Sequence, residues 1–346
     1  MDFGLLMVIR NPAQWHRPEH QLYQEHINRA VRGEKLGFTH AWTSEHHFSP
    51  GAWSPSQFPI LAAIAQRTER IRIGTYVLLV PFHNPIRAAE DAATVDVISN
   101  GRLDLGVGPG SHPFEFATFG VPFKQRRPRM YEGLEIIKKC LYEEEFSFKG
   151  KYWQFSNVRM TTKPVQRQVP IWVAAIGSKA LAEAGAQGHN LASGGPPDPE
   201  KIYDKALTKA GHDPKKVQRG NLHIGHLAET DEKAWDEAES HMRYYIEWQV
   251  GMIKAQRALN PDAPVHAELE LTVPPLGELR KTGRGPYAPA YVGSPETVIR
   301  KIEEDLKVRP MTQIIWCQGL PGQDSKVADR SVELFAREII PHFKNR

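Results

Sequence analysis

The feature that most constrains this chain is the alternation, from end to end, of apolar runs of strand length with amphipathic stretches of helix length. Such repetition points to a parallel sheet, because parallel neighbours need long crossovers that a helix supplies. Strands are predicted over 3–9, 40–45, 71–79, 103–108, 171–175, 190–193, 221–227 and 313–317, and helices over 19–36, 56–68, 85–98, 126–142, 178–187, 199–209, 231–254 and 325–341. Short strands in this number, most followed by a helix, fit a closed (β/α)8 TIM barrel better than an open doubly wound sheet. The punctuation agrees: Pro85 and Pro199 stand at helix starts, Gly177 or Ser178 at an N-cap and Gly37 at a C-cap.

The chain has 346 residues, which a barrel of this kind can use as one domain, 1–346. One stretch, 260–294, breaks the rhythm with prolines and glycines between the seventh and eighth strands, and is expected to be an insertion acting as a mobile active-site lid. No apolar run approaches the roughly 18 residues that cross a bilayer, and the opening residues read as a strand rather than a signal peptide. With only Cys140 and Cys317, both expected to be structural, a reducing cytoplasmic setting is expected. The net charge is +4, and Lys124 to Arg129 form a basic run. That run lacks interleaved aromatics and reads as a solvated loop and helix start or a local anion site, so no nucleic-acid partner is expected.

In a barrel the chemistry gathers where strands end. The second strand ends in Ser44-Glu45-His46-His47-Phe48. Strand side chains alternate, so His46 and His47 do not both face inward, which argues against a paired-histidine metal site. Either histidine suits proton transfer near neutral pH, and either is equally well a packed histidine. The fourth strand ends in Gly106-Val107-Gly108-Pro109-Gly110, small enough for a ligand to approach the backbone, although Pro109 removes a donor. The fifth runs through Ala174-Ala175-Ile176-Gly177-Ser178 into a helix whose first N–H groups suit a phosphate, or form a plain N-cap. His223 and His226 lie on opposite faces of the seventh strand. The aromatics Phe3, Trp42, Phe48 and Tyr76 near strand ends fit an apolar pocket or ordinary core.

An ordered series of short landmarks spans the chain: Gly37-Phe38 with Trp42 to Phe48, Ile71 to Thr75, His83 to Glu90, Asp96 to Arg102, Gly106 to Gly110, Glu115 to Gly120 and Gly293 to Glu296. In order and spacing it resembles the FMN branch of the bacterial-luciferase-like flavin-dependent monooxygenases. The resemblance implies His46 as catalytic base with Glu45 and His47 beside it, and a non-proline cis peptide at Tyr76–Val77, next to Thr75, beneath the flavin ring. It further implies ring contacts from Gly108, phosphate contacts from Ile176, Gly177 and Ser178, further cofactor-binding positions at Pro109, Gly110, Ala174 and Ala175, and closure of the site by Ser193 and Gly194.

The resemblance also implies a reaction. Reduced FMN from a separate flavin reductase would meet O2, and the resulting flavin C4a-peroxide would oxygenate an aldehyde, ketone or aromatic. Rival implications are a deazaflavin-dependent hydride transfer on the same fold and a non-catalytic flavin-binding protein. A homodimer is expected. Light-emitting relatives carry cysteine and arginine where this chain has Gly108 and Pro109, which argues against light emission and leaves Arg126 or Arg129 as the expected substitute near the phosphate.

Overall fold

The computed structural model describes residues 1–49, 53–193, 198, 201–259, 272–282 and 290–344. Its strands are β1 (Asp2–Met7), β2 (His40–Thr43), β3 (Arg72–Thr75), β4 (Leu78–Leu79), β5 (Leu103–Gly108), β6 (Phe146–Lys149), β7 (Gln154–Val158), β8 (Ile171–Ala174), β9 (Asn190–Ser193), β10 (Arg219–His223), β11 (Gly225–Leu227), β12 (Tyr291–Gly293) and β13 (Gln313–Cys317). Its helices are α1 (Glu19–Leu36), α2 (Gln57–Ala65), α3 (Pro85–Ile98), α4 (Pro113–Thr118), α5 (Arg126–Tyr142), α6 (Ser178–Ala186), α7 (Ile202–Lys209), α8 (Asp231–Leu259), α9 (Glu278–Thr282), α10 (Pro295–Val308), α11 (Ser325–Leu334) and α12 (Ile340–Lys344).

The large sheet runs β3-β2-β1-β13-β10-β9-β8-β5-β4, and β3 also pairs with β5, so the sheet closes on itself. Every pairing in it is parallel. β3 and β4 are halves of one stave, interrupted at the Tyr76–Val77 peptide, so the ring has eight staves as a (β/α)8 barrel requires.

Two apolar layers follow from the alternation of strand side chains. Outward-facing Phe3, Leu5, Ile73, Leu105 and Val173 pack under the helices, where Phe335 stacks on Phe38 and meets the edge of Phe3. Inside the barrel, Leu6, Trp42, Trp172 and Ile315 form a separate plug. The two indoles would leave N–H groups stranded there, and polar partners satisfy them: Trp42 Nε1 donates to Gln313 Oε1 at 3.1 Å and Trp172 Nε1 to Asp104 Oδ1 at 3.0 Å. This plug fills the N-terminal side of the barrel and leaves the carboxyl ends for the site.

Several expectations change in detail. The predicted seventh strand is two, because Ile224 separates β10 in the barrel from β11, which pairs with β12 outside it. Within 260–294, residues 260–271 and 283–289 lie outside the described residues, while α9 and β12 are regular structure: Leu279 is buried, and Glu239 accepts hydrogen bonds from Gly277 N and Arg280 Nε. The excursion after α5 is an antiparallel β6–β7 hairpin. The amphipathic helix α10, capped by the Ser294 side chain, was not anticipated. Pro199 lies outside the described residues, and α7 starts at Ile202. The last helix continues past Pro341 because residues 335–339 form a π-turn, a wider coil that accommodates a residue lacking an N–H. No described helix is long and apolar enough to cross a membrane.

Candidate active site

At the carboxyl ends of the staves lies a cavity of about 200 Å³. Leu6, Val8 and Arg10 line it from β1 and its extension, Ser44 and His46 from beyond β2, and Tyr76 and Val77 from the break between β3 and β4. Ala174 comes from β8 and Ile176 from just beyond it, Ala192 and Ser193 from β9, Leu222 from β10 and Ile224 from just beyond it, and Cys317 from β13. Tyr245 and Trp248 of α8 complete the wall. The lining is mostly apolar with a few polar groups, the usual composition of a small-molecule site.

The Tyr76–Val77 peptide is cis, at the position expected. The Tyr76 hydroxyl donates to Ser193 O at 2.8 Å, tying the third stave to the sixth, and burial raises its pKa. The glycines of β5 answer to this break. A Cβ on Gly106 would stand 2.1 Å from Thr75 O, and one on Gly108 would stand 2.3 Å from Val77 Cγ2. The small residues there admit the neighbouring stave, and Gly108, Pro109 and Gly110 do not themselves line the cavity. Thr75 is likewise buried beneath it, donating from Oγ1 to Gly106 O at 2.6 Å.

Of the Glu45-His46-His47 run, only His46 borders the cavity. Glu45 is buried and acts as a clamp: Oε1 faces His47 Nε2 at 3.0 Å and His83 Nε2 at 2.8 Å, and Oε2 accepts from Leu79 N at 2.8 Å. Burial raises its pKa, but these hydrogen bonds outweigh it and hold the carboxyl below its ordinary range. His47 packs its ring against Phe82 and Phe119, away from the cavity.

His46 stacks on His112, ring centres 4.8 Å apart, and turns Nδ1 toward buried Glu115, 3.6 Å from Oε1. That is too long for a hydrogen bond, and the buried Nδ1 has no partner. Oε1 of Glu115 accepts from His47 N at 2.8 Å. Burial pushes the Glu115 carboxyl up, but His112 and His46 together hold it down at about 2. Burial lowers the His46 pKa, the Glu115 carboxylate opposes that, and the charges of His112 and Arg10 add to the lowering.

Gly177, at φ +83°, precedes α6 and edges a second groove of about 660 Å³, which shares Ile176 and Ser193 with the first cavity. Ala175 lines this groove also, with Lys201, Arg219, Lys307 and Arg309 as its basic groups. Arg126 and Arg129 are elsewhere, Arg126 over Phe123 and Arg129 over Tyr152. Neither arginine, expected beside the phosphate turn, lines this groove. Ser178 opens α6, and Gly194 lies outside the described residues.

Among the four aromatics, Tyr76 alone lines the cavity. Phe3 and Trp42 are core, and Phe48 is exposed. His223 and His226 are buried away from it, and burial drops His223 to about 3. Sequence reasoning missed Arg10, His83, Glu115, Tyr245 and Trp248 as parts of the site. Cys317, expected to be merely structural, borders the cavity.

A barrel closed around a cavity at its carboxyl ends, with a histidine in its wall, has the architecture of an enzyme of the (β/α)8 class. Residues 1–312 match the model of the luciferase-like monooxygenases, and the chain belongs to that family. It is 26% identical to limonene 1,2-monooxygenase of Rhodococcus erythropolis over 99% of this chain and 87% of that one. It is 33% identical to the oxygenase component of the flavin-dependent trigonelline monooxygenase of Acinetobacter baylyi over 51% of this chain and 49% of that one. Among solved structures, the monooxygenase RslO1 of Streptomyces bottropensis superposes with a TM-score of 0.81 at 26% identity, covering 99% of this chain and 100% of that one.

Proposed function

We propose that this protein is the oxygenase of a two-component, FMN-dependent monooxygenase acting on a small organic substrate, an aldehyde, ketone or aromatic. The observation that carries the reading is His46, a partly buried imidazole whose Nδ1 faces the buried Glu115 carboxylate, on the wall of a mostly apolar cavity at the carboxyl ends of the staves. The residues present fit FMN: Tyr76, Val77, Ala174 and Ile176 offer apolar surface to a flat ring, and Gly177 and Ser178 offer the N-terminus of α6 to its phosphate. Bound in reduced form, after delivery by a separate reductase, FMN supplies the electrons that activate O2.

The chain's own work is positional. Glu115, facing Nδ1 of His46, favours a proton on that nitrogen and leaves Nε2 as the basic one. His46 is neutral near pH 7 because burial outweighs the carboxylate, so Nε2 takes a proton from the bound substrate and returns it. Glu45 and His47 hold the loop that carries His46, Tyr245 and Trp248 keep water out, and Ser193 closes the far side. Segment 260–294 acts as the lid, and the barrels pair as a homodimer in the cytoplasm.

Equilibrium titration with FMN and with a deazaflavin tests the cofactor. The reading expects micromolar or tighter FMN binding. Tight deazaflavin binding with negligible FMN binding would replace oxygenation with hydride transfer.

A further inference from the structure

Arg10 follows β1 and is 8% exposed. A guanidinium does not lose its charge, so it is a buried cation at any working pH. Its Nη1 donates to Gly319 O at 3.3 Å and to Cys317 Sγ at 3.4 Å, its plane lies 5.2 Å from the Tyr245 ring centre, and its buried Nε has no partner. No carboxylate among the described residues pairs with it. Two other arginines that share a small adjoining pocket with it are matched, Arg17 with Glu25 and Arg29 with Asp329. An unmatched buried charge is costly unless an anion completes it.

Arg10 lines the cavity beside His46 and Cys317. In ring order β1 stands four staves from β8, which puts Arg10 across the barrel from the Gly177 turn proposed for the phosphate. The surfaces around it, Leu6, Val8, Leu222 and Trp248, are apolar. We propose that Arg10 receives the carboxylate of the substrate, so that the protein acts on small organic acids with an aromatic or aliphatic body. This rests on the reading of the cavity as the reaction site. A planar fork of donors suits a carboxylate, which can take two parallel hydrogen bonds.

Calorimetric titration with benzoate, 3-phenylpropanoate and hexanoate, each against its neutral amide, tests the assignment in the free and FMN-loaded protein. At least one acid is expected to bind roughly tenfold or more tightly than its amide, as a charge-assisted pair implies. Arg10→Met is expected to bring that ratio to about one while FMN affinity, followed by flavin fluorescence, stays within about twofold. Arg10→Lys, which keeps the charge without the fork, is expected to retain part of the preference. Acid and amide binding alike in the unaltered protein, no binding of any of the three acids, or a preference surviving Arg10→Met would each overturn the proposal. So would an Arg10→Met loss confined to FMN affinity, which would assign the anion to the flavin. If FMN fails to bind while the acid preference stands and depends on Arg10, the FMN reading falls and the anion site remains.

Discussion

Nδ1 of His46 lies 3.6 Å from Oε1 of Glu115, and Nδ1 of His112 lies 3.5 Å from the same oxygen. One buried carboxylate thus faces two stacked imidazoles, and a third neighbour, the backbone N–H of His47, anchors it. A carboxylate so placed orients an imidazole and favours its charged form. Glu115, which does not itself line the cavity, thus opposes the lowering of the His46 pKa.

Glu115→Gln keeps an acceptor for His47 N and removes the charge. Glu115 opposes the lowering of the His46 pKa, so its loss lowers that pKa further and the neutral base persists to lower pH. The acid limb of the kcat/KM profile is expected to move down by about one pH unit. An unchanged limb would show that His46 is not the group titrating there.

His46→Ala removes the proposed base itself. Turnover with a true substrate is expected to fall about 100-fold or more, with FMN affinity largely kept. Parallel measurement of kcat and of FMN binding checks this.

Gly106→Ala places a methyl where Thr75 O already stands, at 2.1 Å, and backbone on both sides leaves little room to yield. Destabilisation of about 3 kcal/mol is expected from the urea unfolding midpoint. Gly108→Ala pushes instead on the side chain of Val77, which lines the cavity, and is expected to weaken FMN binding about tenfold by displacing it.

Acid should unfold this protein from the inside. Burial lowers His26, His40 and His223 to about 3, well below the 6.5 of an unfolded chain. Between those values the unfolded state binds the extra protons, so these groups favour the fold above pH 6.5 and that advantage is lost as pH falls toward 3. Each contributes a slope of up to about 1.4 kcal/mol per pH unit. Tm is expected to drop steeply from pH 6.5 to 4.5, and His223→Gln to make that drop shallower.

The barrel was legible in the sequence because each stave and most helices carry their own periodicity and caps, and Gly37 sits at the left-handed C-cap of α1 as its position implied. The break at Tyr76–Val77 followed from the resemblance, and the glycines facing it have a local steric reason. What escaped reading depends on contacts distant in the chain. Glu45 meets His83 38 residues away, and Trp248 reaches the cavity from a helix whose sequence shows only amphipathicity. Arg10 looked like an ordinary residue after a strand. Its importance comes from lacking a counter-charge among the described residues, which only the fold can reveal.

The most direct test of the central claim is the rate at which O2 reoxidises reduced FMN in the presence of an excess of this protein. A cavity that binds the ring and excludes water and bulk oxygen chemistry predicts reoxidation slowed at least about tenfold relative to free reduced FMN, followed by faster turnover when a true substrate is added. Reoxidation at the free rate, with protein well above any plausible dissociation constant, would contradict it.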